Sequence, residues 1–265
     1  MQCIVTKATK KLASQLIKIS EIKAKSILSK SQVYDYALNP YVGCQHACVY
    51  CYAKFMKRFT GHKDRWGEFV DVKINAPELL AHEVKRKRTG RVWISGVCDP
   101  YQPLEKRYTI TKRCLEILVD NGWPFTVQTK SALVLRDIET LKRANNSEVG
   151  FTITTANERI RKIFEQGASP INKRIEALAT LHSKGIRTFA MVAPILPDSE
   201  GLVSALKGNV EYVILDRLNY HYADWVYKQY GLSMASKDSF FLQKGEELRK
   251  AFEKEGIPCQ VVFNI

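Results

Sequence analysis

The sequence predicts an α/β fold built on a parallel sheet, and three observations carry this prediction. Strand-like and helix-like segments alternate from residue 34 onward, which is the pattern of repeated strand–helix units. The 265 residues contain no repeat or low-complexity linker that would divide them, and 45% hydrophobic residues can bury a large core. Unusual polar and sulfur side chains follow several of the predicted strands, where parallel barrels carry their working groups.

The strands that define this sheet are short apolar runs bounded by turn residues. They are predicted at residues 36–42, 91–97, 125–129, 149–154, 186–192, 210–215 and 259–263. Six or seven strand–helix units fall short of the eight that close a barrel.

Helices are predicted between the strands. Residues 109–121 form one of them, with Cys114 on its apolar face and Gly122 at its end. A further helix is predicted up to residue 141, with Ser131 as its N-cap. Others are predicted to begin at Asn157 and at Ile171, and a last one to lie within 240–255.

The chain is expected to be a single domain with three parts. Residues 1–31 form an N-terminal arm, in which Leu12, Leu16 and Ile19 suggest one helical stripe. Residues 32–216 form the barrel core, and residues 217–265 form a C-terminal extension of one helix and one strand.

Side chains capable of chemistry follow successive strands, so a parallel sheet would bring them to one end. After the sixth strand, Asp216, Asn219, Tyr220 and His221 are either candidates for a substrate pocket or an ordinary polar loop. The earlier strand ends carry the cysteines 44, 48 and 51, then Cys98 and Asp99, Lys130 and Ser131, Thr154, and Pro194 with Pro197.

The densest of these groups is a cysteine motif after the first strand. Cys44, Cys48 and Cys51 have the spacing C-x3-C-x2-C, and three thiolates this close can hold an iron–sulfur cluster. Three ligands leave one iron of a four-iron cluster free to bind another molecule. The alternative is a zinc site in which His46 or His62 supplies the fourth ligand.

The motif, with Tyr50 directly before its third cysteine, resembles the signature of radical S-adenosylmethionine (SAM) enzymes. The wider motif, with tyrosines on both sides of the third cysteine in Tyr50-Cys51-Tyr52, is similar to that of the spore photoproduct lyase-like family. The resemblance covers about residues 21–197 and continues in Asp99-Pro-Tyr-Gln-Pro-Leu-Glu105, Thr129-Lys-Ser131, Arg136-Asp137 and Ala193-Pro-Ile-Leu-Pro197.

This resemblance implies a partial (β/α)6 barrel of the TIM type. It also implies a [4Fe–4S] cluster on Cys44, Cys48 and Cys51, and SAM on the free iron. Reductive cleavage of SAM would give a 5′-deoxyadenosyl radical that removes a hydrogen atom from the substrate. The cofactors carry this step, and the protein positions them.

The resemblance further implies roles for individual residues. Lys130 would hold the SAM carboxylate, although it could also be a surface lysine. Cys98, with Tyr50 and Tyr52, would return or relay a hydrogen atom, although Cys98 could also be a packed thiol. The set expected to bind cofactor is Tyr50, Ser95, Gly96, Asp99, Lys130, Ser131, Thr154 and Pro194. No glutamate accompanies Ser95 and Gly96, where many radical SAM enzymes carry Gly-Gly-Glu.

The charge of the chain favours a polyanionic partner. Its net charge is +14, from 41 Lys and Arg against 27 Asp and Glu, and basic residues concentrate at 54–65 and 85–91. Neutralising phosphates releases counterions, so nucleic acid is the expected partner, with a merely solvated basic surface as the alternative. An electron donor such as ferredoxin or flavodoxin is also expected.

The expected function is therefore a radical SAM enzyme acting on a nucleic-acid base, in DNA repair or RNA modification. One alternative is a radical SAM enzyme for a small metabolite or peptide. Another is a non-catalytic Fe–S or zinc protein that binds nucleic acid. Seven cysteines, an odd number, and no apolar signal or membrane segment favour a reduced, cytoplasmic protein.

Overall fold

The computed structural model describes residues 17–263. The strands are β1 Lys18–Ile22, β2 Leu28–Lys30, β3 Tyr36–Leu38, β4 Tyr41–Val42, β5 Phe69–Lys73, β6 Val92–Ile94, β7 Phe125–Thr129, β8 Glu148–Thr152, β9 Arg187–Val192, β10 Tyr212–Leu215 and β11 Cys259–Val261. The helices are α1 Lys57–Thr60, α2 Ala76–Arg86, α3 Glu105–Tyr108, α4 Ile110–Asp120, α5 Ile138–Lys142, α6 Glu158–Phe164, α7 Ile171–Ser183, α8 Leu202–Leu206, α9 Asp224–Gln229 and α10 Asp238–Lys254.

The main sheet has eight strands in the order β11-β10-β9-β8-β7-β6-β3-β2. The seven strands from β3 to β11 are parallel to their neighbours, and β2 is antiparallel on the edge. The order has two ends, β2 and β11, so the sheet is a partial rather than a closed barrel. The predicted α/β fold is confirmed.

Helices pack on the outside of this sheet through apolar faces. In α4, Cys114, Leu115 and Leu118 are fully buried, as the predicted core position of Cys114 requires. Gly122 ends this helix with φ 68°, a left-handed conformation that costs glycine little. Strand β7 has the bounds that its sequence predicted.

The predicted strand 36–42 is two strands in two sheets. β3 joins the main sheet, whereas β4 pairs with β5 in a second sheet of order β1-β5-β4. Pro40 lies between them, and proline has no N–H to donate to a ladder. The chain therefore changes sheets just before the first cysteine of the motif.

The second sheet corrects the predicted helical position of Ile19 in the N-terminal arm. Ile19 lies in β1, paired with Val70 of β5, and not in a helix. Leu12 and Leu16 lie outside the described residues. Strand β5 and helix α2 were not predicted from the sequence. Over residues 17–263, no helix is long and apolar enough to cross a membrane.

Candidate active site

A cavity of about 440 Å³ opens at the end of the main sheet where its parallel strands finish. Its wall within the barrel consists of side chains from four neighbouring strands. These are Trp93 of β6, Gln128 of β7, Thr152 of β8 and Met191 of β9. The Gln128 amide nitrogen lies 3.1 Å from the Thr152 hydroxyl, which links two of these strands across the wall.

All three cysteines of the motif line this cavity as free thiols. Burial raises the pKa of Cys48 to about 12 and also raises the pKa values of Cys44 and Cys51. Metal binding must displace these protons. Three soft sulfur donors on one wall fit an iron–sulfur cluster, which spreads its thiolate ligands over separate irons.

The loop that carries the cysteines is held by side chains of the Asp99–Glu105 segment. Gln102 is fully buried, accepts a hydrogen bond from the Gln45 amide at 2.9 Å and donates to the Gly43 carbonyl at 3.3 Å. Gly43 has φ 85°, and a Cβ there would lie 2.3 Å from the Phe69 carbonyl oxygen of β5. The second sheet therefore presses directly against the start of the loop.

Asp99 connects three elements around the cavity. Its Oδ1 accepts from Thr129 Oγ1 at 2.7 Å, its Oδ2 accepts from the Lys130 amide at 2.7 Å, and His46 Nδ1 lies 3.2 Å away. Burial alone would raise the pKa of Asp99, but His46, Thr129 and the Lys130 amide together hold that pKa at about 2. Asp99 thus ties the cysteine loop to the ends of β6 and β7 as a carboxylate.

A buried ion pair supports Tyr50, the aromatic residue of the motif. Arg174 of α7 and Glu165 are both fully buried, with Nη1 and Oε2 2.6 Å apart. The Tyr50 hydroxyl donates to the other carboxylate oxygen of Glu165, and Thr154 does so at 3.2 Å. Burial alone would raise the pKa of Glu165, but Arg174 and Lys130 outweigh it and lower that pKa.

Lys130 brings an ammonium group to the cavity from the end of β7. Its Nζ lies 5.7 Å from the centre of the Tyr50 ring. No carboxylate oxygen within the described residues lies within 4.0 Å of this Nζ. Burial would lower the pKa of Lys130, but Cys48, Glu165 and Asp99 raise it, so the amine stays charged.

Cys98 lines the cavity on the side of β6. Its sulfur lies 3.4 Å from Ser95 Oγ, and Ser95 donates to the Leu38 carbonyl at 3.2 Å. Burial raises the pKa of Cys98 to about 11, so the thiol keeps its hydrogen at neutral pH. The Tyr52 hydroxyl donates to the Gly96 carbonyl and thereby joins the cysteine loop to the same strand end.

The two histidines considered for zinc have other partners. His46 lies against Asp99, whereas His62 stacks on Phe69 with ring centres 3.9 Å apart and bonds Asp71 at 2.9 Å. A single zinc ion needs four donors around one point. Within residues 17–263, no three His, Cys, Asp or Glu side chains meet in that way.

The other predicted site residues divide between the cavity and its support. Pro194, Asp216, Asn219 and Tyr220 line the cavity. Ser131 and Thr154 do not: Ser131 Oγ accepts from the Leu133 amide, and Thr154 bonds Glu165. His221 points outward, with 95% of its side chain exposed, and bonds Asp224. The cofactor roles of Ser131 and Thr154 remain predictions.

Sequence reasoning did not find the buried pair Glu165 and Arg174. Nothing marks either residue in the sequence, because charged side chains nine positions apart are ordinary on and after helices. Gln102 could have been found from the sequence, because it lies in the Asp99–Glu105 segment that carries part of the family resemblance. Trp93, Gln128 and Met191 alternate with core residues and could be placed only once the strand faces were known.

Comparison with known proteins decides what this cavity belongs to. The model of the family described as the radical SAM superfamily matches residues 38–202, more than half of the chain. The chain belongs to the radical SAM superfamily. It is accordingly a radical SAM enzyme, and its cofactors are a [4Fe–4S] cluster and SAM. Enzymes of this superfamily take an electron from a donor.

Two proteins of similar sequence are described as uncharacterized. The uncharacterized protein MJ0683 of Methanocaldococcus jannaschii is 37% identical over 200 residues, which cover 75% of this chain and 72% of that protein. The uncharacterized protein Mb2609c of Mycobacterium bovis is 28% identical over 193 residues, covering 68% of this chain and 57% of that protein. The chain thus spans little more than half of the mycobacterial relative.

Two solved structures show the same fold. Spore photoproduct lyase complexed with dinucleoside spore photoproduct has a TM-score of 0.66 and 16% identity, covering 92% of this chain and 82% of that chain. SuiB of Streptococcus suis bound to S-adenosylmethionine has a TM-score of 0.51 and 15% identity, covering 85% of this chain and 46% of that chain. At such identities the likeness concerns the fold.

Proposed function

We propose that this radical SAM enzyme acts on a base of a nucleic acid, as a repair or modification enzyme. The observation that carries the proposal is the position of the basic residues. Lys54, Lys57 and Arg58 follow the third cysteine directly, on the one-turn helix 52–56 and on α1 beside the cavity. Across the described part of the chain, none of the three pairs with a carboxylate.

The second basic block does not share this position. Lys85 and Arg86 end α2, before β6 begins, so they lie at the opposite end of the strands from the cavity. Lys87 pairs with Glu83 at 2.9 Å, and Arg91 bonds Asn146. In the first block, the Lys54 ammonium donates to the Val49 carbonyl at 2.6 Å and that of Lys57 to the Lys63 carbonyl at 3.4 Å, but no carboxylate of the described residues neutralises them. Cations near the cavity whose charge is not neutralised attract phosphates.

The cluster and SAM, when bound, supply hydrogen-atom abstraction from the substrate. Cys44, Cys48 and Cys51 would hold the cluster through their sulfurs. Gln102 and Asp99 support this assignment because they hold the cysteine loop in place, Gln102 through the Gly43 carbonyl and Asp99 through His46.

Lys130 would bind the carboxylate of SAM. It is a half-buried cation on the cavity wall without a carboxylate partner in residues 17–263, so an incoming carboxylate would meet an unpaired charge. Tyr50 would orient this site, because its hydroxyl is anchored on Glu165 and its ring lies beside the ammonium. Ser95, Gly96 and Pro194, the other residues expected to bind cofactor here, also line the cavity.

Cys98 would return a hydrogen atom to the substrate radical. A donor of this kind needs an intact S–H bond facing the cavity, and the raised pKa of Cys98 preserves that bond. Tyr52, hydrogen-bonded to the end of the same strand, would take part in relaying the hydrogen.

The experiment is turnover of cellular nucleic acid. Enzyme reconstituted without oxygen is incubated with SAM, a reductant and either RNA or DNA. The nucleic acid is then digested to nucleosides, which are analysed by mass spectrometry. We expect a nucleoside of altered mass that appears together with 5′-deoxyadenosine and is absent with Cys48→Ala. Turnover stimulated by a peptide or metabolite fraction, with every nucleoside unchanged, would favour the alternative substrate class.

A further inference from the structure

Four aromatic side chains form a strip at the mouth of the cavity: Phe55, Tyr52, Tyr220 and Tyr222. The ring centres of Phe55 and Tyr52 are 6.3 Å apart with planes inclined by 25°. Those of Tyr52 and Tyr220 are 6.5 Å apart at 18°, and those of Tyr220 and Tyr222 are 5.5 Å apart at 8°. Four rings in succession therefore present nearly parallel faces.

This aromatic strip is assembled from two distant segments of the chain. Phe55 and Tyr52 lie on the one-turn helix after the cysteine motif, and Tyr220 and Tyr222 lie in the segment after β10. Tyr52 and Tyr220 also line the cavity, so the strip leads from the cavity to the surface.

Two of the four rings of the strip are exposed to solvent, and Phe55 and Tyr222 are half-buried. Tyr52 is 39% exposed and Tyr220 is 46% exposed. Next to the strip, Phe59 is 75% exposed and stands edge-on to Phe55 at 6.2 Å. Contiguous exposed aromatic surface of this kind marks an interaction site more often than it marks packing.

Positive charge accompanies the rings along one side. Lys54 Nζ lies 5.3 Å from the centre of the Tyr222 ring, and Lys57 and Arg58 continue the same helical segment. The carboxylates in the segment after β10 have partners within the protein: Asp216 accepts a hydrogen bond from Asn219, and Asp224 lies 3.0 Å from His221 Nδ1. The surface is thus aromatic in the middle and cationic along one edge.

We infer that the aromatic strip binds unpaired bases of a single-stranded nucleic acid next to the base that enters the cavity. This inference rests on the proposed function and narrows it to a strand whose bases are free to stack. Every base has a flat face that can stack on a tyrosine or phenylalanine ring, and cations beside the rings neutralise the phosphates. A base-paired duplex hides those faces and does not fit the strip.

The test is fluorescence anisotropy with a labelled oligothymidine and a labelled oligouridine of about twelve nucleotides, within the span that such grooves cover. The protein is the reconstituted enzyme. We expect Tyr220→Ala to weaken binding by about tenfold or more, as loss of one base stack does. Tyr220→Phe keeps the ring and should bind like the unaltered enzyme. Tyr230→Ala removes an equally exposed tyrosine (50%) outside the strip and should have no effect.

A second measurement tests the cationic edge. Replacing Lys57 and Arg58 by Gln should flatten the dependence of log K on log salt by about 0.7 for each phosphate that these side chains no longer neutralise. A labelled duplex of the same length should bind more weakly than either single strand.

The outcomes separate the two proposals. If the unaltered enzyme binds the oligonucleotides and Tyr220→Ala binds them equally well, the strip is not the binding surface, while the proposed function stands. Duplex binding as tight as single-strand binding also overturns the inference. If the enzyme binds no oligonucleotide, both proposals fail. Poly-glutamate binding of equal strength, with the same loss in Tyr220→Ala, would make the occupant a peptide.

Discussion

Replacing Arg174 by methionine should destabilise the protein far more than an ordinary substitution. The guanidinium is fully buried, pairs with the fully buried Glu165 at 2.6 Å and donates to the carbonyls of Thr152 and Ser169. Removing one partner leaves the other as an uncompensated buried charge, which costs about 3–5 kcal/mol. A domain has only about 5–15 kcal/mol of stability, so this loss is a large part of it.

The matched control removes both charges. In the double variant Arg174→Met with Glu165→Met, neither charge of the pair is left behind, and the carbonyls of Thr152 and Ser169 lose their donor as they do in Arg174→Met alone. The additional cost comes from hydroxyls. Tyr50 and Thr154 lose the acceptor that Glu165 provides, at about 1–3 kcal/mol for an unsatisfied buried group. The double variant should therefore be more stable than Arg174→Met alone, despite carrying one more substitution.

The assay is urea unfolding of the anaerobically reconstituted protein, followed by circular dichroism. A loss below about 1 kcal/mol for Arg174→Met would refute the reasoning, because the charge of Glu165 would then be balanced without Arg174. A double variant less stable than Arg174→Met would refute it as well. Either result would also remove the ion pair as the support of Tyr50.

Four further predictions concern the cavity. Alanine at any one of the three motif cysteines should abolish both the visible absorbance of the cluster and 5′-deoxyadenosine formation; a variant that keeps its full iron content would contradict the ligand assignment. Lys130→Met should keep the cluster but weaken SAM binding by about 1.5–3 kcal/mol in a calorimetric titration, the value of a hydrogen bond to a charged group; unchanged affinity would place the SAM carboxylate elsewhere. Cys98→Ala should still cleave SAM but give side products in place of the native product, and a normal product at a normal ratio to 5′-deoxyadenosine would exclude a donor role. Because the pKa of Asp99 is held at about 2, below its usual 3.8, its carboxylate contributes about 2 kcal/mol of stability that is present above about pH 4 and is lost as pH falls toward 2. Unfolding of cluster-free protein by urea at pH 5 and pH 3 checks this, and Asp99→Asn should flatten the pH dependence.

The parts of the fold that the sequence predicted are those with a local signal. Strand β7 and helix α4 carry their periodicity within a dozen residues, and Gly122 marks where the helix ends. Strand β1 has no such signal. Its residues are mostly exposed, and it is a strand because it pairs with β5, some fifty residues later. Strand preference depends on such neighbours more than on the segment itself.

The cavity shows the same division. The cysteine motif and the residues at the strand ends could be predicted, because parallel strands finish at one edge. The hydrogen bonds of Asp99 could not be predicted: both its oxygens accept from groups of the protein, while its expected contact with cofactor stays a prediction. Such partners depend on how loops from different strands meet, which no spacing in the sequence records. The aromatic strip likewise joins residues more than 160 positions apart.

The source of the hydrogen atom tests the central proposal most directly. Reconstituted enzyme, SAM and reductant are incubated with nucleic acid from cells grown in heavy water with deuterated carbon sources. The 5′-deoxyadenosine is then isolated, and its mass is measured by mass spectrometry. A reaction on a nucleic-acid base or its sugar predicts deuterium in 5′-deoxyadenosine with this nucleic acid, and none with the unlabelled control. Deuterium that enters only from a deuterated peptide or metabolite fraction would contradict the account.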